Sequence, residues 1–148
     1  MENKNYTVVV PLDVLPSAFG CSAFFKTPSK IFSVDMDFSK FDNIKLALDE
    51  FVCERPTTFE FFKHTLEALH CELVRADFYN EDCGTFFIRL SLAQPMPDGV
   101  NKIIEIDCRP SDAIPLALRC STPIYIENSV LDRLEDVREV YYSLKETL

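Results

Sequence analysis

The stretch Ile103–Arg119, IIEIDCRPSDAIPLALR, reads as a strand that runs into an Arg-Pro corner and then opens a helix. Side chains alternate along an extended strand, which puts Glu105 and Asp107 on one face and Ile104, Ile106 and Cys108 on the other. Pro110 fixes its own φ, keeps Arg109 out of the helical region and suits the first turn of a helix. Arg109 then stands beside Ser111 and Asp112, so a single turn gathers two carboxylates, a guanidinium and a hydroxyl. Carboxylate oxygens suit Mg²⁺ or Mn²⁺, and helix N-termini suit anions. The same residue types also make ordinary caps, contributing roughly 0.5–2 kcal/mol, and ordinary ion pairs. Spacing alone leaves both readings open.

Upstream of this turn the chain divides into short elements. Tyr6–Leu15 is rich in β-formers, and Lys30–Phe38 reads as a strand with Phe32, Val34, Met36 and Phe38 on one face and Asp35 and Asp37 on the other. A helix is expected from Ser39, capped by that hydroxyl, with Ile44, Leu48 and Phe51 as its apolar stripe. A second is expected over Thr58–Leu69, with Thr57 and Glu60 at capping-box spacing and Phe62, Leu66 and Leu69 buried. His64 falls inside that helix and His70 at its end, where surface or capping roles suit them better than catalysis. Two hairpin strands follow, Leu73–Tyr79 and Thr85–Ala93, and Pro95–Gly99 turns the chain into the key strand.

Downstream, Pro123–Glu127 is a short apolar strand. From Ser129 the pattern predicts one helix to the chain end, with Leu131, Leu134, Val137, Tyr141 and Leu144 as a stripe that is either core or a partner surface. Tyr141 and Tyr142 make an oligomer contact plausible.

At 148 residues and 47% hydrophobic content, the chain suits one well-packed domain spanning residues 1–148. No apolar run approaches the roughly 18 residues of a membrane span, and Glu2, Lys4 and Asp13 interrupt any signal-peptide core, so a soluble cytoplasmic protein is expected. Six scattered cysteines with no Cys-x-x-Cys read as reduced thiols used in packing. The net charge of −9, from 15 Lys+Arg against 24 Asp+Glu, argues against tight non-specific DNA binding while allowing weak, metal-bridged contact with a few phosphates. Three glycines in all leave no Gly-rich phosphate loop.

Arg55-Pro56-Thr57 repeats the grammar of Arg109-Pro110-Ser111: an Arg at an extended corner, a proline, then a hydroxyl. Proline explains the corners and the hydroxyls explain the caps, but neither explains the arginines. Were the two corners to meet, their guanidiniums would flank Asp107 and Asp112, with the fork geometry that suits phosphate or carboxylate.

The run Ile104–Leu118, followed by Pro123-Ile124-Tyr125-Ile126 and Val130-Leu131, resembles the bifunctional nuclease domain family, with its Asp-x-Arg-Pro-Ser-Asp-Ala-Ile signature. The match runs over about residues 30–135. The resemblance implies a single α+β domain with a mixed, mainly antiparallel sheet and three to four helices including a C-terminal one. It also implies a homo-oligomer and nuclease activity on DNA, RNA or both. Two positions depart from the family pattern. Phe59 replaces a histidine, which removes any imidazole chemistry there, and Pro115 replaces an alanine, a change that a helix starting at Ser111 would absorb in its first turn.

The leading expectation is metal-assisted phosphodiester hydrolysis, with Asp107, Asp112 and Glu105 holding Mg²⁺ or Mn²⁺ and with Asp107, Asp112, Arg109 and Arg55 as the catalytic set. The alternative is a non-catalytic regulatory or interaction module in which the Arg and Asp residues form a buried structural network.

Overall fold

The computed structural model describes residues 5–148. Seven strands form one sheet: β1 (Tyr6–Ser17), β2 (Gly20–Lys26), β3 (Ile31–Met36), β4 (Glu72–Asp82), β5 (Thr85–Gln94), β6 (Lys102–Cys108) and β7 (Ile124–Glu127). Their order is β3-β2-β1-β7-β4-β5-β6, and every neighbouring pair is antiparallel except β4 and β7. The described residues form five α-helices: α1 (Phe41–Leu48), α2 (Thr58–Ala68), α3 (Pro110–Arg119), α4 (Asn128–Leu131) and α5 (Arg138–Glu146). This is the expected α+β domain, with an extra helix because the C-terminal one is broken in two.

The sheet curls. Phe32 on the edge strand β3 stacks on Phe86 of β5 at 6.1 Å between ring centroids, although four strands separate them in the sheet. At about 4.8 Å per strand a flat sheet would hold them roughly 24 Å apart. Phe25 and Phe78 complete a buried aromatic cluster with Phe32 at 5.3–5.5 Å. Ala113, Ile114, Leu116 and Ala117 of α3 belong to the same core. Phe24, pointing the other way from Phe25, meets Tyr141 of α5 at 5.0 Å on the opposite side of the sheet. Tyr141 is therefore core, and of the two adjacent tyrosines only Tyr142 is exposed.

Local chemistry accounts for most element boundaries. The β4–β5 hairpin closes on Cys83 and Gly84 with φ of 49° and 88°, the pairing of positive angles that a tight two-residue turn needs. β4 thus extends through Asp82 into what reads from sequence as a five-residue loop, while β5 starts at Thr85 as expected. Asp37, not Ser39, caps the start of the first helical segment: its carboxylate accepts the Ser39 N–H at 2.9 Å around a 3₁₀ turn over Phe38–Lys40, and α1 begins only at Phe41. Phe38 has left the strand for that turn, and Phe51 lies beyond the helix; both are exposed.

Three packing details correct the sequence reading. Phe62 and Leu69 of the α2 region are 47% and 63% exposed, while Leu66 and the partly buried Phe59 face the core. The cause is rotational: Glu60 is pinned to Arg119 of α3, which turns positions 59 and 66 inward. Second, α3 starts at Pro110, so Pro115 sits inside the helix rather than in its first turn. Third, α4 and α5 are separate although no Gly or Pro lies between them. Tertiary bonds to the start of β3 override helix propensity there. Val137 N–H donates to the Ile31 carbonyl at 2.8 Å, Ile31 N–H donates to Asp136 Oδ1 at 3.1 Å, and Lys30 Nζ donates to the carbonyls of Leu131 and Leu134.

No helix among the described residues is long and apolar enough to cross a membrane.

Candidate functional site

β6 is an edge strand, and its alternation is as expected: Glu105 and Asp107 point outward while Ile104 and Cys108 pack partly against the core. Ile106 shares the inward parity but remains 44% exposed, since nothing covers the outer side of this edge strand. The pairing register carries the outward face across five strands, aligning Val8, Tyr125, Asp77, Arg89 and Asp107 in one row.

That row organises a network of rings and charges. Tyr79 Oη donates to Asp107 Oδ1 at 2.6 Å, and the bonded carboxylate raises the phenol's pKa above its ordinary value. The Arg89 guanidinium lies 5.0 Å over the Tyr79 ring, approaches Glu105 Oε2 at 3.9 Å and donates to Tyr6 Oη at 3.2 Å. Arg75 lies between the Tyr125 and Tyr6 rings, 4.2 and 4.9 Å from their centroids, and pairs with the buried Asp77. The contacts span β1, β7, β4, β5 and β6 along this face, while Arg75 and Asp77 pair within β4. Arg75, Arg89, Tyr6, Tyr79 and Tyr125 were not among the sequence candidates. The signal for them is the period-two alternation of Arg75, Asp77 and Tyr79 on one strand and Phe87, Arg89 and Ser91 on the next.

Across the Arg-Pro corner, Arg109 Nε pairs with Asp112 Oδ2 at 3.4 Å. These side chains are 76% and 44% exposed, so the pair is open to solvent. Cys108 sits between the two acidic residues; burial first, then the charges of Asp112 and Asp107, push its thiol up to about 11. Asp107 and Asp112 thus both act on Cys108, Asp107 standing with Glu105 on the outward face of β6 and Asp112 with Arg109 at the start of α3.

Arg55 does not join them. Glu60, in the first turn of α2, accepts from Arg119, the last residue of α3, at 2.8 Å. The Arg55 corner precedes α2 and so lies at the C-terminal end of α3, whereas Arg109 lies at the N-terminal end. A ten-residue helix separates them by about 15 Å. Arg55 is exposed and bonds to no described residue.

The buried ionic network expected of Arg55, Arg109, Asp107 and Asp112 is instead built on Arg119. Its side chain is 8% exposed, and Nη1 donates to the carbonyls of Asn43 and Pro115 at 2.9 and 3.0 Å while its guanidinium lies 5.1 Å over the Phe59 ring. Burial pushes the Glu60 carboxyl up, but its bonds to Arg119 and to the Glu60 and Thr57 backbone outweigh this and hold it below the usual carboxylate range. Phe59 and Pro115, the two departures expected from the resemblance, both touch this one arginine.

A divalent cation finds carboxylates at the Asp107 corner but no protein cage. Among the described residues no group of three or more His, Cys, Asp or Glu side chains is placed to hold a metal. The expected set of Asp107, Asp112 and Glu105 therefore does not form such a group; Mg²⁺ commonly uses one or two carboxylates and completes its shell with water and substrate phosphates.

An α+β domain with a curled mixed sheet and an acidic corner after its edge strand is the class that fold and site define. Residues 26–138 match the bifunctional nuclease domain model, and the chain belongs to that family. Compared with the curated proteins, the chain has no match.

Proposed function

We propose that the chain is a nuclease that hydrolyses phosphodiester bonds of DNA, RNA or both with the help of a divalent cation. The observation that carries the reading is the Asp107 carboxylate, held by Tyr79 on an uncovered sheet face beside Glu105, with Arg109 and Asp112 across the corner. Asp107 and Asp112 would hold the Mg²⁺ or Mn²⁺, with Glu105 on the same strand face; a bound cation supplies water activation and charge stabilisation. Tyr79 orients Asp107, and the exposed Arg109 meets a neighbouring phosphate through its free fork. The −9 charge predicts weak substrate binding with a shallow salt dependence, since few phosphates are neutralised.

Plasmid and RNA cleavage with and without Mg²⁺ or Mn²⁺, by wild type and Asp107→Asn, tests this. Metal-dependent cutting that falls at least about 100-fold in the variant is expected, a loss in the range seen when one transition-state stabilising group is removed. No metal-dependent cutting, or equal cutting by both, overturns it. One observation favours the alternative, a non-catalytic interaction module: Asp107, Asp112 and Glu105 each already have a partner in Tyr79, Arg109 and Arg89. The same assay decides between the two.

A further inference from the structure

The curled sheet does not close where α3 begins. β6 ends at Cys108 opposite Ile88, so Thr85–Phe87 of β5 have no β6 partner, and the other edge strand, β3, approaches the gap with Val34, Asp35 and Met36. The result is a cleft of about 210 Å³ whose floor is the first turn of α3: Arg109, Pro110 and Ser111 on one side, Gly84 and Thr85 of the hairpin on another. Asp107 is not part of its lining, so this cleft and the acidic sheet face lie on different sides of the same corner.

Two independent features of the cleft ask for an oxyanion. Of the first N–H groups of α3, those of Asp112 and Ala113 turn back to the Arg109 carbonyl and Pro110 has none, which leaves the Ser111 N–H free at the positive end of the helix dipole. The Ser111 side chain is the second feature. The residue is only 8% exposed, it lines the cleft, and its hydroxyl bonds to no described residue. The hydroxyl oxygen itself is open to the cleft, where a ligand oxygen can reach it. Arg109 adds a charged fork at the rim, with only its Nε engaged by Asp112. Asp35 is the sole carboxylate of the lining and accepts the Ser22 hydroxyl.

We propose that this cleft binds a phosphate group, taken by the Ser111 N–H and hydroxyl and by the Arg109 guanidinium, with Asp35 at the opposite rim turning the rest of the ligand away. The volume admits one phosphate with part of its attached sugar, so a terminal phosphate of a nucleotide or oligonucleotide fits it and a continuous duplex backbone does not. The existence of the site stands on the cleft alone; the nucleotide as its occupant rests on the nuclease reading.

Amide chemical-shift titration of the full chain, without metal, tests the site using inorganic phosphate, a nucleoside 5′-monophosphate and the unphosphorylated nucleoside. Saturable shifts at Ser111–Ala113 and at Gly84–Thr85 are expected with the first two probes and none with the third. Tighter binding of the monophosphate than of phosphate identifies the nucleotide end as occupant; equal binding identifies free phosphate. Ser111→Ala and Arg109→Gln weaken binding at least fivefold, while Asp35→Asn tightens it. Shifts scattered over the surface, or undiminished binding by Ser111→Ala with its fold intact, overturn the site. Asp107→Asn separates this result from the nuclease reading: it retains phosphate binding if the cleft is correct, whether or not cleavage is ever observed.

Discussion

The two ends of α3 carry the same pair of functional groups in opposite circumstances. At the C-terminal end Arg119 meets Glu60 at 2.8 Å, also binds two backbone carbonyls and stacks on a ring, with its side chain 8% exposed. At the N-terminal end Arg109 meets Asp112 at 3.4 Å with three-quarters of its side chain in solvent. Identical chemistry is thereby divided into a fastener and a contact surface. The buried pair has no bonding capacity to spare for a ligand apart from one Nη. The exposed pair contributes little to stability, because solvent screens it and two mobile side chains must be ordered to form it. Arg109 is consequently the arginine that a ligand can recruit.

The largest expected effect follows directly. Arg119→Ala leaves Glu60 without its partner and frees two carbonyls, a loss of about 3 kcal/mol, or roughly 10 °C in melting temperature for a chain of this size. Arg109→Ala costs under about 1 kcal/mol. Thermal denaturation of both variants measures the contrast; equal losses would erase the distinction between the two ends.

Next in size is the acid limb. The folded carboxyl of Glu60 lies below its ordinary value of 4.5, so the folded state binds its proton less readily than the unfolded chain does. The associated stability is present above pH 4.5 and is lost as pH falls through the folded value. Urea midpoints measured from neutral pH downward should therefore fall in wild type, and fall less in Arg119→Ala. Parallel curves would mean that Glu60 owes its depressed pKa to its backbone donors alone.

Much of the local structure was legible in the residues, and the reason is that its causes are local. The Glu60 carboxylate does accept the Thr57 N–H at 3.1 Å, as capping-box spacing predicts, and the alternation through Glu105 and Asp107 holds because a strand admits no other. What could not be read depends on neighbours distant in sequence. β7 enters the sheet between β1 and β4, which brings Tyr125 and Tyr6 onto Arg75; no spacing encodes that adjacency. The break between α4 and α5 is dictated by bonds to Ile31, more than 100 residues upstream. The echo of Arg55 and Arg109 misled for the same reason. Proline and hydroxyl fix the shape of each corner, whereas the packing of α2 against the C-terminal end of α3 fixes their separation.

Phe59→His probes the buried end more gently. The change places an imidazole beneath the Arg119 guanidinium, where the aromatic ring lies at 5.1 Å. A protonated imidazole is repelled there, so its folded pKa drops below the ordinary value of about 6.5. Stability should match wild type within about 1 kcal/mol at pH 8 and decline as pH falls below that unfolded value. A pH-independent midpoint would show that the ring does not sense Arg119.

The smallest effect lies on the outer face and concerns orientation rather than stability. Tyr79 donates to Asp107 at 2.6 Å, and that bond, followed by partial burial and the carboxylate's charge, holds the phenol proton beyond its ordinary pKa of 10.0. Replacing the carboxylate with an amide in Asp107→Asn removes the charge while keeping the shape. The phenolate absorbance of Tyr79, isolated by difference against Tyr79→Phe, should then titrate closer to 10.0 than in wild type. An unmoved midpoint would mean that Tyr79 does not hold Asp107 in solution, and the carboxylate would lose the fixed direction on which its proposed role depends.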